Sequence, residues 1–113
     1  MEMFRTTATT EEIIKKVADF LSDHLKIDRI ILYGSYARGD FRKDSDFDIA
    51  VISRDLEKKD ILEKIELFSK ASIAVDSRVE LKGFGRNEFL NPEKGSLLEM
   101  IKKQGKVVWR QRA

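Results

Sequence analysis

The sequence predicts an α/β protein: one domain with a mixed β-sheet flanked by helices. Three observations carry this expectation. Segments with apolar residues at helical spacing alternate with short β-branched runs, in the order α, β, β, α, β, α, β, which fits a layered α/β arrangement. A chain of 113 residues with 42% hydrophobic content supports one modest core and not two, so residues 1–113 read as a single domain. No repeat, low-complexity stretch or internal linker interrupts it.

The elements follow in order. In "TTEEIIKKVADFLSDHL", Thr9 stands three residues before Glu12, a capping-box spacing, and Ile13, Ile14, Val17, Phe20, Leu21 and Leu25 form one apolar face. After the polar break Lys26 to Asp28, "RIILY" is long enough for a buried strand and too short for a helix. Gly34-Ser35 turns the chain into "SYAR", a short helix-competent segment, and "FDIAVIS" is a second buried strand. Helical spacing returns with Leu56, Ile61, Ile65 and Phe68. "IAVDSRVEL" alternates Ile73, Val75, Ser77 and Val79 with Ala74, Asp76, Arg78 and Glu80, which predicts a strand with one charged face. "GFGRNEFLNPEKG" reads as a loop with a helix start at Asn91-Pro92, "SLLEMIKKQG" as a helix stopped by Gly105, and "KVVWR" as the last strand.

Composition removes several function classes. Charged residues make up 37% of the chain, yet 22 basic side chains nearly balance 20 acidic ones, and the formal charge of +2 gives no bulk signal for nucleic-acid binding. With no cysteine, disulfides, thiolate metal sites and cysteine nucleophiles are excluded. The single His24 argues against a histidine-based zinc site or a Ser-His triad. No apolar run approaches the ~20 residues of a membrane span, and the N-terminus lacks a signal-like apolar region, so a cytosolic protein without a membrane partner is expected. Carboxylates must carry any chemistry.

They are concentrated in "LYGSYARGDFRKDSDFDIAV", residues 32 to 51. A strand feeding Gly34-Ser35 and a helix start places backbone N–H groups beside a residue free to take positive φ, which suits a phosphate. Asp46 and Asp48 stand two apart at the entrance of a strand, so both project from one face with backbones roughly 6.5 to 7 Å apart. Two carboxylates so placed repel unless a cation lies between them, and Mg²⁺ takes such oxygen ligands together with substrate phosphates. A third acid is expected if a hydroxyl is also to be activated; Asp76 and Glu80 are the candidates, and their spacing of four does not separate them. Taken singly, each feature has a plainer reading. Gly-Ser is a common turn, strand-entrance aspartates can be solvated charges, and Asp76, Arg78 and Glu80 can form a surface ladder on an edge strand. Arg38 can meet a phosphate or pair with Asp40 or Asp44. His24 reads as a solvated helix-end residue and Trp109 as core or interface.

Gly34, Ser35, Ala37, Arg38, Gly39, Ser45, Asp46 and Asp48 together resemble the signature of the polymerase-β-like nucleotidyltransferase superfamily, and more narrowly of its minimal nucleotidyltransferases. The resemblance covers most of residues 11 to 110. It implies a nucleotidyltransferase fold in which Gly34, Ser35, Arg38 and Ser45 contact a nucleoside triphosphate and Asp46 and Asp48 bind Mg²⁺. It also implies that Asp76, at the place of the third acid, completes the catalytic and metal-binding set. Larger members carry a further domain for the acceptor, so here the acceptor is expected on another chain. The implied partners are ATP or another nucleoside triphosphate and a helical protein of the HEPN type, with this chain as the antitoxin of a toxin-antitoxin pair transferring AMP to a hydroxyl. A homo-oligomer is compatible with the same reading. The alternatives are a non-catalytic nucleotide-binding or partner-blocking subunit and, less favoured for want of a substrate domain, an aminoglycoside-type enzyme.

Overall fold

The computed structural model describes residues 8–42 and 46–111. Helix α1 (Ala8–Ser22) leads into strand β1 (Arg29–Tyr33), the single-turn helix α2 (Ser35–Arg38) and strand β2 (Phe47–Ile52). A 3-10 turn (Arg54–Lys58) precedes α3 (Ile61–Val75), β3 (Val79–Phe84), α4 (Arg86–Leu90), α5 (Leu97–Gln104) and β4 (Lys106–Arg110). The sheet runs β3-β2-β1-β4, with β1 antiparallel to both β2 and β4, and β2 parallel to β3. This is the mixed α/β sheet that the sequence predicts. Among the described residues no helix is long and apolar enough to cross a membrane.

The pleat of the two central strands divides the core. Ile30, Leu32, Phe47, Ile49 and Val51 face α1 and α3, where they pack with Ile13, Val17, Leu21, Phe68 and Ala71. Ile31, Tyr33, Ala50 and Ile52 face the other way and pack with Phe89 of α4 and Leu98 and Ile101 of α5. Because side chains alternate along a strand, Asp46 and Asp48 belong to this second face.

Three boundaries differ from the sequence reading. Helix α1 is already formed at Ala8, so Thr9 lies inside its first turn and does not cap it. Ile73 to Val75 are the last turn of α3 and not the start of a strand. Asp60 caps that helix reciprocally with Glu63, Phe68 and Ala71 face the core, and Ile73 is 85% exposed on the outer side. Apolar residues on two helical faces had mimicked strand alternation. Finally, Asn91 ends α4 instead of starting a helix, and α5 begins after Ser96, whose side chain accepts from the Glu99 N–H at 3.1 Å.

Candidate active site

The site is built where β1 ends and β2 begins. Buried Tyr33 closes β1 directly opposite Asp48, and Gly34 makes the turn with φ 73° and ψ −152°. A Cβ added at Gly34 would overlap the Asp48 Oδ2, so this position needs glycine both for its positive φ and for the close approach of the carboxylate. Ser35 to Arg38 then form α2, whose first-turn amides lack intrahelical partners. Tyr36 fixes the other side of the turn by stacking on Phe47 with ring centroids 4.0 Å apart and an interplanar angle of 18°. Gly34→Ala should therefore destabilise the protein by about 1–2 kcal/mol from backbone strain alone and displace the Asp48 side chain. Urea denaturation checks this, and an unchanged midpoint would refute the steric role.

Sheet register decides which acid meets Asp48. Glu80 of β3 lies opposite Asp48 in the parallel pair, and the two carboxyl groups are within hydrogen-bonding reach. Burial, the Glu80 charge and then the Asp46 charge push the Asp48 carboxyl above its ordinary range, partly offset by Lys82. Lys82 is also paired with Glu80 at 3.5 Å. The Tyr33 hydroxyl is buried on the same face without a hydrogen-bond partner, and burial, Asp48 and Glu80 raise its pKa far above the usual phenol value. The fold has thus gathered groups that oppose one another's ionisation, the electrostatic condition a cation relieves.

The structure does not bring Asp76 to Asp46 and Asp48. Asp76 caps the C-terminus of α3, three residues before β3 begins, and its Oδ1 accepts from the Arg78 N–H at 2.8 Å and from Arg78 Nε at 3.2 Å. The Arg78 hydrogen bonds hold its carboxyl below the usual range. The expectation that Asp76 and Glu80 share a strand face fails because Asp76 precedes the strand. Glu80 is the acid that the sheet register sets opposite Asp48. The signal available in the sequence was Asp76-Ser77-Arg78 itself, a side-chain-to-backbone turn pattern.

Of the remaining expected contacts, Gly34 and Ser35 lie at the turn, and Asp46 is exposed immediately before β2. Arg38 pairs with Asp40 at 3.2 Å, both well exposed. Ser45 and Asp44 lie outside the described residues. The His24 ring lies against Phe20, tilted by 38° with centroids 5.4 Å apart, and Trp109 packs against the first core cluster. Tyr33, adjoining the acids, is the group that sequence reasoning missed.

Among the described residues no three acids or histidines are close enough to cage a metal by themselves. Mg²⁺ does not require that: it is usually held by one or two carboxylates plus waters and substrate phosphates. Asp48, with Asp46 at the margin and Glu80 opposite, fits such a site, because it is partly buried among like charges that Lys82 offsets only in part.

A strand-turn-helix element beside strand-borne carboxylates on a mixed sheet is the arrangement of the nucleotidyltransferase class. The comparison with known proteins agrees: residues 15–112 match the family described as polymerase beta, nucleotidyltransferase, and the chain belongs to that family. It is similar to the protein adenylyltransferase MntA of Shewanella oneidensis, 34% identical over 95 residues, covering 83% of this chain and 63% of MntA. The chain therefore spans less than two thirds of that relative. Among solved structures, a toxin-antitoxin complex with AMP-PNP matches with a TM-score of 0.63 and 31% identity, over 87% of this chain and 73% of the other. A tri-AMPylated Shewanella oneidensis HEPN toxin in complex with its MNT antitoxin matches with a TM-score of 0.60 and 29% identity, over 91% and 73%.

Proposed function

We propose that this protein is a Mg²⁺-dependent adenylyltransferase that moves AMP from ATP to a hydroxyl of a HEPN-type partner protein and so acts as the antitoxin of a pair. The observation that carries the reading is the Asp48-Glu80 carboxyl pair, with Asp46 beside it, set against the Gly34-Ser35 turn. The likeness to MntA and to the AMPylated HEPN complex supports the choice of nucleotide and partner.

In this mechanism Gly34, Ser35 and the first-turn amides of α2 receive the triphosphate, with Arg38 and Ser45 as further phosphate contacts. Asp46 and Asp48 would hold Mg²⁺, which supplies charge compensation on the phosphates when bound. Glu80, in place of Asp76, accepts the proton of the incoming hydroxyl as its oxygen bonds to the α-phosphorus. The bond from that phosphorus to the bridging oxygen breaks, and pyrophosphate leaves. Positioning of the hydroxyl comes from the partner's interface.

One observation favours the partner-blocking alternative: the acids form a pair with one outlier instead of a closed triad. Intact mass spectrometry of a HEPN-type partner, incubated with this protein, ATP and Mg²⁺, separates the two readings. AMP-sized additions are expected; tight binding with no added mass from any of the four nucleoside triphosphates would establish the blocking subunit instead.

A further inference from the structure

The outer edge of β3 is open among the described residues, and its sequence is complementary to itself. Arg78 O accepts from Phe47 N–H and Phe84 O accepts from Ser53 N–H, so the even-numbered residues of β3 direct their backbone groups at β2. By alternation Leu81 and Gly83 present their N–H and C=O groups to the open side. We propose that two copies of this chain join here, β3 against β3 in antiparallel pairing about a twofold axis at Leu81, forming one continuous sheet.

Charge selects this edge. Antiparallel pairing centred on Leu81 sets Glu80 of each copy opposite Lys82 of the other, extending the Glu80-Lys82 contact of 3.5 Å into a ladder of alternating sign. Leu81 meets Leu81, each donating its N–H to the other's carbonyl, and Gly83 meets Val79. The opposite edge of the sheet lacks this property. Self-pairing of β4 about Val108 would set Lys106 against Arg110, and the β1-β4 ladder is already irregular between Ile30 and Ile31.

The helix above the edge agrees. Phe68 seats α3 over Gly83, and Ile61, Ile65 and Ile73 expose apolar surface along the groove beside β3. A symmetric join would set the two α3 helices, one from each copy, side by side on the same face of the joined sheet. Small Ser69 and Ser72, in the same groove, leave room for that approach. The pairing does not depend on the proposed transfer activity, and its test reads mass instead of catalysis.

Sedimentation and native mass spectrometry of the full chain should show a concentration-dependent species of twice 13.1 kDa. Lys82→Glu sets like charges opposite at two symmetric places and should weaken association at least tenfold, as should Glu80→Lys. The double exchange, Glu80→Lys with Lys82→Glu, should restore it. Circular dichroism confirms folding of each variant, and Ile73→Asp, on exposed α3, should weaken the dimer without touching the sheet. A monomer at every concentration overturns the proposal. So does a dimer that survives both single charge variants and is broken by Val107→Asp on β4. Slow exchange of the Leu81 amide only when a HEPN-type partner is added would assign the edge to that partner and overturn self-pairing as well.

Discussion

Asp48→Asn should reduce AMP transfer by about 10³-fold, the several kcal/mol that a metal-held carboxylate supplies at 1.36 kcal/mol per decade. Asp48 is the best-placed ligand because it is the acid the fold both partly buries and surrounds with like charge. That placement gives the variant a second signature. A carboxyl pushed above its ordinary value stabilises the fold fully only below that ordinary value, and the contribution is lost as pH rises through the folded value. Without metal at pH 7, Asp48→Asn should therefore melt no lower than the parent. Asp76 has the opposite sign, its contribution being present above the ordinary carboxylate value and lost as pH falls through the lowered one. Glu80→Gln should lower transfer at least ~10²-fold as a lost proton acceptor, with Asp76→Asn within a few fold of the parent. Single-turnover mass spectrometry and thermal melts measure all three. A larger loss for Asp76→Asn than for Glu80→Gln would give the third role to Asp76.

Phe47→Ala should destabilise the protein by about 3–5 kcal/mol, a large part of the roughly 5–15 kcal/mol available to a small domain. Phe47 is 1% exposed, stacks on Tyr36 and carries the Arg78 guanidinium 5.0 Å from its ring centroid. The same ring thus secures the turn helix from one side and the approach to β3 from the other. Phe47→Leu keeps most of the apolar volume and should fall well short of that loss. Urea denaturation checks the ranking, and a loss under about 1 kcal/mol for the alanine variant would mean that the stack is dispensable.

The central strands were legible because burial on both faces leaves a short β-branched run: "RIILY" matches β1 directly, and "FDIAVIS" matches β2 except for its last residue, Ser53. The turn at Gly34 was legible because glycine is the residue that tolerates its backbone and the adjoining carboxylate. The acid that lies opposite Asp48 was not. Choosing between Asp76 and Glu80 requires the register of two strands separated by a whole helix, and register is a tertiary property. Ile73 and Val75 compounded the problem, since apolar residues on two sides of a helix imitate a strand over a few residues. Tyr33 escaped for a related reason: an aromatic ending a buried strand is ordinary, and its hydroxyl is informative only once its surroundings are known.

The two-sided pleat of β2 ties chemistry to folding. A slip of one residue would turn Asp48 into the hydrophobic layer beneath α1 and α3 and bring Phe47 out among the acids, so no partly ordered chain can hold both carboxylates correctly and still bury its core. Site and core form together or not at all. Occupancy of the proposed divalent-cation site would then serve as a probe of native structure, reporting on strand alignment as a spectroscopic marker of the interior does.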